Sequence, residues 1–170
     1  MDLQLNGKTA LVTGATAGIG LAIASTLARE GVAVTITGRD REKLHNAVAK
    51  IAQAAPQARV SAIVADLANA EGAEALIKAC TDTDILINNL GFYEATPFAD
   101  ITDEEWLRMF NINVMSGVRL SRHYFPRMLA RNWGRVIFMS SEVALSLRQT
   151  WCITASVNQL NSPYREEWQS

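Results

Sequence analysis

The sequence predicts a doubly wound α/β domain, and three observations predict it. Short apolar runs alternate with longer stretches whose apolar residues recur at a helical period. A glycine-rich turn stands between the first apolar run and the first helix-like stretch. The composition, 49% hydrophobic with a formal net charge of −1 over 170 residues, fits one globular unit able to bury a core.

The elements follow in order. Thr9-Ala10-Leu11-Val12 opens a strand over 9–13, and a helix follows over 19–29. A second strand over 32–37 precedes a helix over 41–55, where Leu44, Val48 and Ile51 keep the helical period. A third strand spans 60–65 and a helix 70–80, and a fourth strand over 84–88 leaves through a polar, glycine-containing exit. Residues 103–130 read as one long helical region with an N-cap at Thr102 or Asp103, and Pro126 is expected to end or bend it. A fifth strand spans 135–140. Such alternation implies a parallel sheet with right-handed crossovers and helices on both faces.

Several function classes fall away. The balanced charge offers no stripe for nucleic acid, and no apolar run approaches the roughly 18 residues of a membrane span. The start, Met1 to Asn6, lacks the basic and apolar regions of a signal peptide, so a cytoplasmic location is expected. Cys80 and Cys152 are too few and too scattered for a disulfide framework, and read as free thiols. His45 and His123 have no metal-like spacing, so no metal is expected. No Gly-x-Ser-x-Gly elbow points to an α/β-hydrolase. The acidic run Asp103-Glu104-Glu105 suits a helix start, where it complements the dipole.

The chemistry-bearing motif is Thr13-Gly14-Ala15-Thr16-Ala17-Gly18-Ile19-Gly20. Gly14 lets the chain turn off the strand, and Gly18 and Gly20 leave room for close backbone approach. Amides at the start of the next helix can then receive a pyrophosphate, aided by the helix dipole. A P-loop is excluded because the Gly-Lys-Ser/Thr ending is missing. The second strand leads to Gly38-Arg39-Asp40, where an NAD-preferring protein would place an acidic residue against the ribose hydroxyls. Arg39 instead suits a 2′-phosphate, so NADP(H) is the expected cofactor, with NAD(H) as the alternative.

Further motifs follow in order: Asp66-Leu67, Asn88-Asn89-Leu90-Gly91, Asn113, and the run Gly134 to Ser141. With the glycine turn, this set over about residues 5–145 resembles the short-chain dehydrogenase/reductase family. Leu90 stands where the family usually carries alanine, which should crowd the pocket slightly. The resemblance implies a Rossmann-like sheet in the order 3-2-1-4-5, and interconversion of a small-molecule carbonyl and alcohol by hydride transfer. It implies that Thr13, Gly14, Thr16, Ala17, Gly18, Ile19, Gly20, Arg39, Asp66, Leu67, Asn88 and Gly91 serve the cofactor. Asp66 would meet the adenine, and Asn88 would brace the sheet. Asn113 would hold a water of the proton relay, and Ser141 would hydrogen-bond the substrate. Taken singly, Asp66 also reads as a turn residue, Asn113 as a helix kink and Ser141 as a strand end.

The family's acid–base pair is a tyrosine with a lysine four residues later. A phenol of pKa about 10 needs a neighbouring cation to work near neutral pH. The resemblance puts the tyrosine at Thr154 and the lysine at Asn158, and neither residue can substitute. From Ser146 the sequence departs from the family, so residues 1–145 read as an incomplete NADP-binding domain and 146–170 as a tail foreign to it. The family's last strands and its subunit-packing helix are missing, although family members are usually homo-oligomers. A frameshift accounts for the tail. Permitted codons for residues 147–160, read from the last base of the first codon, give Pro-Ala-Asp-Met-Val-His-Tyr-Gly-Val-Ser-Lys-Pro-Ala. That frame restores the tyrosine at codon 154 and the lysine at codon 158. The expected product is catalytically inactive; the alternative is a non-catalytic nucleotide- or partner-binding module with a genuine divergent tail.

Overall fold

Five parallel strands form one sheet in the order β3-β2-β1-β4-β5 in the structure, a computed structural model that describes residues 3–94 and 96–140. The strands are β1 (Thr9–Thr13), β2 (Ala33–Gly38), β3 (Val60–Val64), β4 (Ile85–Asn88) and β5 (Arg135–Phe138). Helices α1 (Gly18–Arg29), α2 (Arg41–Ala54) and α3 (Ala70–Ala79) fill the first crossovers. The last crossover holds α4 (Asp103–Phe110), a π-helical turn (Asn111–Met115) and α5 (Ser116–Ala130).

Strand alternation feeds two cores. Ala10 and Val12 of β1, Val34 and Ile36 of β2, and Ile85 and Ile87 of β4 pack under α1 and α2 with Ala24, Leu44 and Ile51. Leu11 and Leu86 point the other way, against Leu76, Leu120, Tyr124 and Met128 of α3 and α5. Both faces are covered, so the central strands read as continuous apolar runs. Among the described residues β5 pairs with β4 alone, and Ile137 is 45% exposed.

The predicted strands are present, with ends shifted by up to two residues. β2 starts at Ala33, not Val32, and reaches Gly38; β3 stops at Val64, β4 begins at Ile85, and β5 ends at Phe138 rather than Ser140. The predicted long helix needs two corrections. It is not uniform, because a π-turn over Asn111–Met115 inserts a wider turn between α4 and α5. Pro126 does not end it, and α5 continues to Ala130. Proline removes the bond to the carbonyl of Arg122; both residues are exposed, so water can reach that carbonyl. The buried stripe Leu120, Tyr124 and Met128 holds the helix on the sheet through the break. At the other end Thr102 is the cap: its hydroxyl accepts from Glu105 N, and the Glu105 carboxylate accepts from Thr102 N.

Candidate cofactor site at the carboxyl ends of the strands

A cavity of about 220 Å³ opens where β1, β2, β3 and β4 end. Gly14 and Thr16 come from the turn after β1, Arg39 from the end of β2, Asp66 and Leu67 from the exit of β3, and Gly91 from the exit of β4. Residues up to 98 positions apart, Gly14 and Ile112, meet here because β1 lies between β2 and β4, the point where the chain's winding reverses. Open α/β sheets bind ligands at this position.

The turn is fixed by contacts on both sides. Gly14 has φ +62°, and a Cβ there would stand 3.1 Å from Leu90 Cα, so a side chain is excluded by conformation and by space. A Cβ on Gly20 would meet Gly14 O at 2.6 Å and crowd the Asn89 amide, which needs the first turn of α1 close to β1. Helices α2, α3 and α4 are capped by the side chains of Asp40, Asn69 and Thr102. Ala17 gives α1 no side-chain cap. The first amides of α1, exposed at Ala17, Gly18 and Ile19, are left for an anion or solvent.

Thr13 lies behind the cavity. Its hydroxyl accepts from Asn89 N and Leu90 N, both at 2.9 Å, and donates to Ile87 O at 3.3 Å. Asn89, absent from the sequence-derived site residues, does equal work: its amide donates to Thr13 O at 3.0 Å and to Gly14 O at 3.1 Å. Only the adjacency of β1 and β4 reveals that pairing. Asn88 points to α5 instead, donating to the Ser121 hydroxyl at 3.2 Å. Neither Thr13 nor Asn88 lines the cavity.

Arg39 is exposed at the rim, and no described residue pairs with it. Asp40 is already used, since its carboxylate accepts from Glu42 N at 2.9 Å and Lys43 N at 3.0 Å. The acidic neighbour therefore serves α2, and the rim keeps a positive charge. One Asp66 oxygen accepts from Ala68 N at 3.1 Å, a local turn contact. Leu90 packs against the core beneath α3 and α5 and also lines the cavity.

At the β4 side Asn113 stands in the π-turn, and its side chain grips one residue by both backbone groups. Phe92 N donates to its Oδ1 at 2.7 Å, and its Nδ2 donates to Phe92 O at 2.8 Å. Arg108 lies 4.4 Å over the Phe92 ring and 3.7 Å from Glu94. Asn113, in the π-turn, thus holds the backbone of Phe92, a residue of the cavity wall. Ser141, Thr154 and Asn158 lie outside the described residues, as does the whole stretch 146–170.

Perturbed groups lie elsewhere. Burial, with the nearby Cys80 adding to it, pushes the Tyr124 phenol well above its ordinary range, and burial also pushes the Cys80 thiol up. Tyr124 donates to Cys80 O at the amino end of the sheet, away from the cavity. Among the described residues no three His, Cys, Asp or Glu side chains gather as a metal site, and no helix is long and apolar enough to cross a membrane.

The comparisons agree with this architecture. The short chain dehydrogenase family model matches residues 8–156. The chain is 48% identical over 145 residues to the Bacillus subtilis oxidoreductase YvaG, covering 85% of this chain and 55% of that protein. It is 39% identical over 142 residues to the D-beta-hydroxybutyrate dehydrogenase of Cupriavidus necator, covering 81% and 54%. Among solved structures, L-sorbose reductase from Gluconobacter frateurii, complexed with NADPH and L-sorbose, matches with TM-score 0.89 and 32% identity over 94% of this chain and 62% of its own. The chain belongs to the short-chain dehydrogenase/reductase family. It spans about half the length of the curated relatives it matches.

Proposed function

We propose that this chain is the NADP(H)-binding part of a cytoplasmic carbonyl/alcohol oxidoreductase, and that the polypeptide as written binds the nucleotide without turning substrate over. One observation carries the binding reading: Gly14 and Thr16 of the turn that leads into the uncapped α1, the exposed Arg39 and the Asp66 turn line one cavity at the switch point of the sheet. The α1 amides would hold the pyrophosphate, Arg39 the 2′-phosphate, and Asp66 the adenine. Asn113 and Thr13 would act through the backbone they hold. A bound nicotinamide would be the group that supplies or accepts hydride in the complete enzyme. Solved relatives bound to NADPH and NADP support the same preference.

Thr154 and Asn158 carry the inactive half of the reading. Neither can exchange a proton with a carbonyl oxygen or lower a neighbouring group's pKa, and losing general acid–base catalysis costs about 10²–10⁴ in rate. Ser141 alone would orient a substrate without protonating it. The relatives' substrates are a sugar in one case and a hydroxy acid in another, so the class proposed is a small carbonyl or alcohol. A frameshift near codon 146 is the origin we propose for the tail. Titration with NADPH, an activity assay with a carbonyl panel, and the nucleotide sequence across codons 143–170 test the three parts. Binding without turnover, with tyrosine and lysine in the shifted frame, is expected. Turnover would refute the inactive reading. Wobble bases that forbid the frame would make the tail genuine and the chain a nucleotide- or partner-binding module.

A further inference from the structure

Thr9 and Ala33, the first residues of β1 and β2, stand at the end of the sheet opposite the cofactor cavity. A groove of about 660 Å³ opens there among three loops: the turn before β1, the turn from α1 to β2, and the connection from α2 to β3. Backbone bonds between those loops fix its wall. Gly7 N donates to Gly31 O at 3.2 Å, Ala33 N to Lys8 O at 2.8 Å, and Val34 N to Arg59 O at 2.8 Å. The charged side chains of the lining are Arg29, at the end of α1, and Arg59, just before β3; no Asp or Glu lines the groove. Both arginines are exposed, and among the described residues neither has a carboxylate partner, the ion pairs being made by Lys43, Arg108 and Arg131. An arginine at a helix end can serve the last carbonyls, but in α1 backbone amides already meet them: Gly31 N donates to Ala28 O and Val32 N to Leu27 O. The Arg29 guanidinium donates to the Thr26 hydroxyl at 3.1 Å, one use of five N–H groups. The carboxyl ends of α1 and α2 contribute about half a negative charge each, so two guanidiniums leave the groove net positive.

We propose that this groove is a second binding site, separate from the cofactor cavity, for a small anion with two acidic heads, one held by Arg29 and the other by Arg59. A guanidinium receives a carboxylate or a phosphate through paired N–H donors, so two arginines on two loops suit two heads rather than one. The side-chain amides of Asn6 and Gln57, exposed along the same groove, supply donors and acceptors for the polar atoms between the heads.

Calorimetric titration of the chain as it stands tests the site. Succinate and pyrophosphate each carry two heads, carboxylates in one and phosphates in the other, and so separate the two kinds of acid; acetate carries one head. At least one two-headed probe should bind saturably and more tightly than acetate. Arg29→Met and Arg59→Met should each weaken that binding by about tenfold or more, the loss of one charge-assisted pair. Arg122→Met makes the same change of charge at an exposed position on α5 outside the groove, and should bind as the parent does. All three substitutions replace exposed side chains, so melting temperatures should stay near the parent's. The inference is overturned if neither two-headed probe binds saturably, if acetate binds as tightly, or if Arg122→Met weakens binding as much as the groove variants do. It is overturned equally if no probe loses affinity in both groove variants, which would place bound pyrophosphate in the cofactor cavity instead.

Discussion

Replacing Thr13 with valine isolates the brace between β1 and the exit of β4. The hydroxyl is buried, with Thr13 1% exposed, so water cannot take its place. Leu90 N loses its acceptor, and an orphaned, partly buried donor costs toward the lower end of about 1–3 kcal/mol. Asn89 N keeps a second acceptor in Ile87 O at 3.1 Å, so its loss is smaller, and the 3.3 Å bond to Ile87 O adds little. The sum is about 2–4 kcal/mol, which for a chain of this size lowers Tm by roughly 5–15 °C. Urea unfolding followed by tryptophan fluorescence should show a lower midpoint with an unchanged slope. Thr35→Val is the control, because the Thr35 hydroxyl pairs at 2.9 Å with Ser61 on the exposed edge strand and should be worth less than about 1 kcal/mol. A Thr13→Val loss below about 0.5 kcal/mol, or no larger than that of Thr35→Val, would refute the reasoning.

Thr102→Ala breaks a complete capping box and should cost about 1 kcal/mol, read as a lower urea midpoint. Arg131→Met removes the paired bonds to Asp82 at 2.8 and 2.9 Å and the 3.4 Å contact with Asp84; since Asp82 is 58% exposed, a loss of about 1 kcal/mol that shrinks in high salt is expected. Alkaline unfolding should report Tyr124. Its folded pKa is raised above the unfolded value of about 10, so its contribution is intact below that pH and is lost as pH rises through and beyond it. A stability profile flat through about pH 11 would contradict that sign.

Local chemistry was legible in the sequence wherever one segment carried the whole signal. The glycine turn, the Thr102 cap and the apolar runs of β1, β2 and β4 each announce themselves within a dozen residues. Arg39 and Asp66 were legible because they follow strand ends, where open sheets gather ligands. Asn89 was not, because its partners Thr13 and Gly14 lie more than 70 residues away and meet it only when β4 docks beside β1. Pro126 misled because the stripe of Leu120, Tyr124 and Met128 outweighs one missing backbone bond. The π-turn has no marker in composition; it is visible only through the grip of Asn113 on Phe92.

Paired titration of the chain with NADPH and NADH, repeated on Arg39→Met, addresses the central claim directly. A guanidinium at the cavity rim with no partner among the described residues should favour the 2′-phosphate by about 1.5–3 kcal/mol, roughly tenfold or more in affinity. The expected result is tighter NADPH binding by the parent and nearly equal binding of the two nucleotides by Arg39→Met. Equal affinities in the parent, or a preference untouched by the substitution, would contradict the account.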